Sequence, residues 1–259
     1  MSDQLVRLEP IDRDVAVIAL NRPEKRNALN IPMLEALCKA VEDAHARQAR
    51  VIVFRGEGPV FCAGLDLAEA EDPAKSHASG QWIAQMLEAV WQSHAVTIAA
   101  VHGAAIAGGA GLMTACDLAV VEDNAKIGYP EVRRGLVAGL VMTLLRRQLR
   151  ERDARELLVL GEIIGAARAK EIGLVNRVVP EGGALDAARE LAATVLKGGP
   201  GAIAHTKQML NELWPRAIET DLAWALNHHK AVRGSREARE GIAAFNEKRK
   251  PNWDPDAKT

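Results

Sequence analysis

The chain has 259 residues, 33 Lys plus Arg against 34 Asp plus Glu, and a formal net charge of −1. That balance excludes nucleic-acid binding by bulk electrostatics, so any need for cationic groups must be met locally. Three cysteines, Cys38, Cys62 and Cys116, are too few and too irregularly spaced for a disulfide framework or a zinc site, and no metal is expected. Asp14–Leu20 (DVAVIAL) reads as a buried strand, and Arg50–Phe54 (RVIVF) as another, ended by Gly56 and the Gly58–Pro59 turn. Between them Leu34, Leu37, Val41 and Ala44 share one face at helical spacing, with Asn30 as cap and Pro32 in the first turn. A second helix is expected over 81–92, where Trp82, Met86 and Val90 form a stripe, and further strands at Thr97–Val101 and Leu118–Val121.

Strand–helix–strand alternation predicts a mixed α/β fold with parallel pairing. From about Leu140 the pattern turns helical, with a break at Gly161–Gly165 and a short strand at Leu174–Val179 closed by Pro180. After Gly198-Gly199-Pro200 it is helical again to about Lys250, with Leu222, Ala225, His229 and Val232 on one face. A boundary near residue 200 divides a core, 1–200, from a helical region, 201–259. The N-terminus MSDQLVRLEP lacks the cationic-then-apolar pattern of a signal peptide, and no apolar run approaches the ~18 residues of a membrane span. A cytoplasmic chain without a membrane partner is therefore expected.

Three segments carry candidate chemistry. Val101–Leu136 (VHGAAIAGGAGLMTACDLAVVEDNAKIGYPEVRRGL) runs from a strand end through a glycine cluster into an apolar helix. Glycines let backbone approach a ligand, and helix-entry N–H groups are unpaired donors that can grip an anion or a developing oxyanion. The same residues also suit a tight turn that needs glycine only for packing. A nucleotide P-loop is excluded because Leu112 follows Gly111, and Gly109-x-Gly111 followed by Thr114 is a poor dinucleotide fingerprint. In Phe61–Leu67 (FCAGLDL) a second strand end meets a glycine, with a helix start expected after it. Two such turns can aim two N–H groups at one point. Asp66 there is either a first-turn complement to the helix dipole or a cap or loop residue. Glu131, after Pro130 and among apolar neighbours, is either a buried carboxylate of raised pKa or an exposed helix-start residue. Glu122 and Asp123 look like a solvated loop.

These segments, with Asn21–Leu29 (NRPEKRNAL) and the LVLGEIIGAARAKEIGLVNRVVP stretch, resemble the crotonase superfamily, the enoyl-CoA hydratase/isomerase family, over nearly the whole chain. The resemblance implies a spiral of ββα units with a C-terminal helical region that drives assembly into a homotrimer or a dimer of trimers. It implies an acyl-CoA thioester substrate, with no separate cofactor, whose carbonyl lies between the backbone N–H groups of Leu65 and Gly108. It also implies a coenzyme A site along Arg22, Lys25 and Arg26 and the Cys62, Ala63 and Asp66 loop. Hydratases of the family commonly carry two glutamates. Glu131 matches the second, and Gly111 stands at the first, on the substrate-binding surface. Some hydratases of the superfamily share that glycine, and the EVRRGL after Glu131 is similar to theirs. Reversible hydration of a 2-enoyl-CoA is therefore expected ahead of double-bond isomerisation. A catalytically silent acyl-CoA-binding subunit is the alternative of another class.

Overall fold

The computed structural model describes residues 4–10, 14–69, 73–213 and 217–253. Strands β1 (Val6–Pro10) and β2 (Val15–Leu20) pair antiparallel at the start. Helix α1 (Ile31–Ala46) leads to β3 (Val51–Gly56), and α2 (Pro73–Trp91) to β4 (Val96–Val101). Then come β5 (Ala104–Ile106), α3 (Gly108–Ala115), β6 (Leu118–Glu122) and β7 (Lys126–Gly128). The second half contains α4 (Gly139–Gln148), α5 (Glu151–Leu160), β8 (Ile163–Gly165), α6 (Ala166–Glu171) and β9 (Arg177–Val179). It ends with α7 (Ala184–Leu196), α8 (Pro200–Glu212), α9 (Ile218–Arg233) and α10 (Arg236–Asn246).

The main sheet has the order β1-β2-β3-β4-β6-β9 and is parallel from β2 onward. Val15 lies opposite Val51, and Val51 opposite Val96. Both faces are covered, so its strands are apolar throughout rather than alternating. Ile18, Leu20, Ile52, Phe54, Ala99 and Val101 face one core with α1, α2 and α3. Val15, Val17, Val51, Val53, Ile98 and Ala100 face a second, where Ala184, Ala187, Ala188 and Ala192 of α7 let helix and sheet approach closely. Each large aliphatic side chain so buried contributes about 1.5–3 kcal/mol. The Asn30 side chain accepts from the Met33 N–H at 3.0 Å and starts α1.

A smaller sheet, β5-β7-β8, stands beside the first. Its β8 occupies the expected break at Gly161–Gly165, with Ile164 opposite Ile127. The strand predicted over Leu174–Val179 forms only at Arg177–Val179, because Leu174 and Val175 are buried in the core. No α-helix starts at Leu65 or Asp66. The backbone there is extended, Leu65 bridges Leu29 in parallel, and the Asp66 N–H donates to the Leu29 carbonyl. Asp66 instead caps the turn over 67–69, its Oδ1 accepting the Ala68 N–H at 3.2 Å.

Residues beyond 200 fold back on the core. Leu222 and Ala225 of α9 are buried against it, so these two residues of the helical stripe pack within the chain. Helix α8 buries none of its own residues, and Met209, Leu210, Leu213 and Trp224 remain exposed. Among the described residues no helix is long and apolar enough to cross a membrane, and no cluster of side chains could hold a metal ion.

Candidate active site

Three chain segments meet at one cavity of about 100 Å³ lined by Ala63, Leu65, Gly108 and Glu131. Loop 62–66 leaves the end of β3, the β5–α3 junction follows β4, and a 3₁₀ turn, Pro130–Arg134, follows β7. Cys62 bridges Ala105, which ties the first segment to the second. Gly64 adopts φ +93°, and a Cβ there would stand 2.7 Å from the Ile106 carbonyl oxygen. Only glycine therefore fits where the two segments touch. Ala107, just before α3, holds φ 50° and ψ −120° without being glycine. Such a conformation costs about 1–3 kcal/mol and persists where surrounding structure imposes it.

The result is a pair of free donors. Among the described residues neither the Leu65 N–H nor the Gly108 N–H has an acceptor. A Cβ built on Gly108 would lie 3.7 Å from the Leu65 nitrogen, so the two backbone stretches are neighbours. Gly108 opens α3, where N–H groups lack intrahelical partners.

Glu131 completes the cavity. The residue is half-buried, but its Oε2 is sealed from solvent and has no hydrogen-bond partner. Desolvation pushes its carboxyl up from 4.5 to about 7, opposed by its own backbone N–H and by the charge of Arg134. Tyr129 fixes the turn that carries it. This fully buried side chain meets Thr114 Oγ1 at 2.6 Å, and that hydroxyl donates to the Ala110 carbonyl at 2.7 Å. The turn after β7 is thereby locked to α3, whose first residue supplies a free N–H.

The remaining candidates separate. Ala63 lines the cavity. Cys62 is fully buried, its thiol donates to the Asn27 carbonyl, and burial holds its pKa up at about 12. Arg22 does not face the cavity. Its Nη1 bonds Asp66 Oδ2 at 2.7 Å and the Ala28 carbonyl at 3.0 Å, so Arg22 and Asp66 clamp loop to loop. Lys25 is exposed and lines neither the cavity nor its outer neighbour. Arg26 lines that outer cavity, of about 520 Å³, which shares Ala63, Ile106, Arg134 and Phe245 with the inner one. There Arg249 is engaged by Glu240 and Glu247, whereas the Arg26 guanidinium makes no ion pair among the described residues.

Gly111 is buried in α3 and does not line the cavity. A Cβ on it would stand 2.8 Å from Val141 Cγ2, and Val141 does line the cavity. Val141, from α4, thus fills the direction in which a side chain at 111 would project. Glu122 is not in a solvated loop: it is buried at the end of β6, and its Oε1 accepts the Gly182 N–H at 2.8 Å.

Sequence reasoning also missed Asn27. It is fully buried and donates through Nδ2 to the carbonyls of Glu57, Val60 and Phe61, while its Oδ1 accepts the Arg22 N–H. It anchors the loop that precedes Leu29. Its φ is 55°, a conformation Asn tolerates, and no spacing in the sequence marks it. Arg134, His229 and Arg233 also line the cavity without having been singled out.

Known proteins resemble this chain in sequence and in fold. The enoyl-CoA hydratase/isomerase family model matches residues 11–256. A Thermus thermophilus protein named "Putative enoyl-CoA hydratase" is 40% identical over 245 residues, 92% of this chain and 97% of its own. An enoyl-CoA isomerase/hydratase of Mycosarcoma maydis is 32% identical, covering 90% of each chain. The crystal structure of an enoyl-CoA hydratase/isomerase from Xanthobacter autotrophicus Py2 superposes with a TM-score of 0.86 at 30% identity, over 95% of this chain and 94% of that one. The fold is the crotonase fold, and the chain belongs to the enoyl-CoA hydratase/isomerase family.

Proposed function

We propose that this chain binds a 2-enoyl-CoA and hydrates it reversibly, with Glu131 as the proton carrier. The observation that carries the reading is the partnerless Oε2 of Glu131 in one cavity with the free N–H groups of Leu65 and Gly108. The thioester oxygen lies between the two N–H groups. Water adds to C3 as Glu131 takes its proton, and the displaced π electrons move onto that oxygen as an enolate. Glu131 then gives the proton to C2, the thioester carbonyl re-forms, and the carboxylate is regenerated. Each donor to the oxyanion is worth about 2.7–4 kcal/mol of barrier. Arg26 at the outer cavity suits the phosphates of coenzyme A.

The lack of a side chain at Gly111 keeps a second reaction in view. With one carboxylate, Glu131 can remove a C2 proton from a 3-enoyl-CoA and return it to C4. Ultraviolet absorbance separates the readings. Hydration bleaches the conjugated band of crotonyl-CoA, isomerisation of a 3-enoyl-CoA creates that band, and a silent binder changes neither. An unchanged band with both substrates overturns the enzymatic proposal. The assembly proposed is a trimer or a dimer of trimers, with the exposed Met209, Leu210, Leu213 and Trp224 in its contacts.

A further inference from the structure

The cavity holds more positive charge than the hydration step uses. Arg233, at the end of α9, is 8% exposed and lines the inner cavity with Glu131 but not the outer one. Its Nε is sealed from solvent without a partner. Among the described residues its Nη1 has two long contacts, Ser79 Oγ at 3.3 Å and His229 Nε2 at 3.4 Å. Among the described residues its Nη2 has no partner either, and unlike Nε it is not sealed. No carboxylate pairs with this guanidinium among the described residues, and burial alone pushes its pKa down. The charge of Arg134, by contrast, acts on Glu131 while its guanidinium stacks 4.6 Å above the Phe245 ring.

A buried cation with open donors and no acid is costly unless something of opposite charge enters. His229 does not supply that charge. Burial and Arg233 itself hold its pKa down at about 4, so the ring is neutral at physiological pH. Ile83, Leu140 and Val141 make the rest of this part of the wall apolar. The chamber is therefore suited to a short run of methylene groups with an anion beyond it.

We propose that the acyl chain accepted here ends in a carboxylate, which the Arg233 guanidinium binds by charge-assisted hydrogen bonds. This rests on the acyl-CoA reading above and names its substrate class, a thioester of a dicarboxylic acid. Arg233 acts on specificity. It carries no proton in the reaction and stands apart from the oxyanion donors.

The test is calorimetric titration of the intact protein with two saturated thioesters, glutaryl-CoA and 5-methylhexanoyl-CoA. They have the same length and branching, with the terminal carboxylate of the first replaced by an isopropyl group in the second. Glutaryl-CoA is expected to bind about 10- to 150-fold more tightly, the range for a hydrogen bond to a charged group. Arg233→Met should abolish that preference, and Arg233→Lys should keep part of it. Equal binding by the wild-type protein, or tighter binding of the neutral thioester, overturns the proposal without any variant. Equal weakening of both thioesters by Arg233→Met also overturns it, because a structural role or a pairing across subunits would do that. Free coenzyme A is the control. If it and both thioesters fail to bind, the acyl-CoA reading falls first. If it binds and the two thioesters are not distinguished, only the carboxylate-terminated class is wrong.

Discussion

If Glu131 is the proton carrier, as proposed, its titration should set the pH at which turnover appears. Burial holds its carboxyl at about 7, against an ordinary 4.5. In the single-carrier scheme the group must start as a carboxylate in both directions, because it first takes a proton from water or from C2. kcat/KM for hydration of crotonyl-CoA should therefore rise with pH and level off above neutrality. A group titrating near 7 is about one per cent ionised at pH 5 and about nine-tenths at pH 8, so the rate should change by about 100-fold. Initial rates at constant ionic strength from pH 5 to 9 measure this. Glu131→Gln keeps size and polarity but cannot exchange the proton, and should lower kcat by ~10²–10⁴ and erase the inflection. Stability gives an independent reading. A carboxyl whose folded pKa lies above its unfolded one destabilises the protein as pH rises. The effect is absent below about 4.5 and complete above about 7, and amounts to about 3 kcal/mol at 1.36 kcal/mol per unit. Glu131→Gln should then melt above the wild type at pH 8, and the gap should close as the pH falls toward 4.5. A rate independent of pH across neutrality would refute the assignment. A rate that falls with rising pH would mean that protonated Glu131 donates first and that another group handles the water.

The other predictions test the supports of the site. Gly111→Ala should gain about 1 kcal/mol of helix propensity but lose about 1–3 kcal/mol to the 2.8 Å approach on Val141. In a Val141→Ala background the same change should become stabilising, and urea melts of the four proteins should give a coupling of at least about 1 kcal/mol. Asn27→Ala removes the hydrogen bonds that hold residues 57–61 and puts a less tolerant residue at φ 55°, so it should cost about 3 kcal/mol or more in urea. Leu210→Glu with Leu213→Glu places charge on the exposed face of α8, and sedimentation should show a trimer or hexamer shifted to smaller species. A wild-type chain that sediments as a monomer at micromolar concentration would dispose of the assembly proposal.

The legible parts of this molecule are those that backbone chemistry writes into adjacent residues. Buried parallel strands need unbroken apolar runs, so β2, β3 and β4 stand out in the sequence. A strand end followed by glycine marks both the Gly64 and the Gly108 segments, although only Gly108 opens a helix and Leu65 lies in extended backbone. What stayed hidden depends on partners far apart in the chain. The Arg22–Asp66 clamp spans 44 residues, and the Arg233–Ser79 contact spans 154. A helical stripe such as Leu222 and Ala225 has the same period whether it meets the chain's own core or another subunit, so its partner could not be read from spacing. The acid in Glu122 looked solvated because the Gly182 N–H that binds it lies 60 residues away.

This division has a mechanistic consequence. The two N–H donors at Leu65 and Gly108 belong to the main chain, so no substitution at those positions except proline removes them. The proposed oxyanion site would therefore tolerate changes in the residues around it, such as one at Gly111. A side chain there would project toward the wall that Val141 now fills, yet both N–H groups remain free. In the proposed reaction, making and collapsing the enolate falls to main-chain groups at glycine turns that the sequence marks. On the same proposal the choice of acyl chain falls to α4 and α9, whose Val141 and Arg233 reach the same cavity from distant parts of the chain. A single substitution on either helix can then alter which thioester is accepted without disturbing the donors that stabilise its enolate.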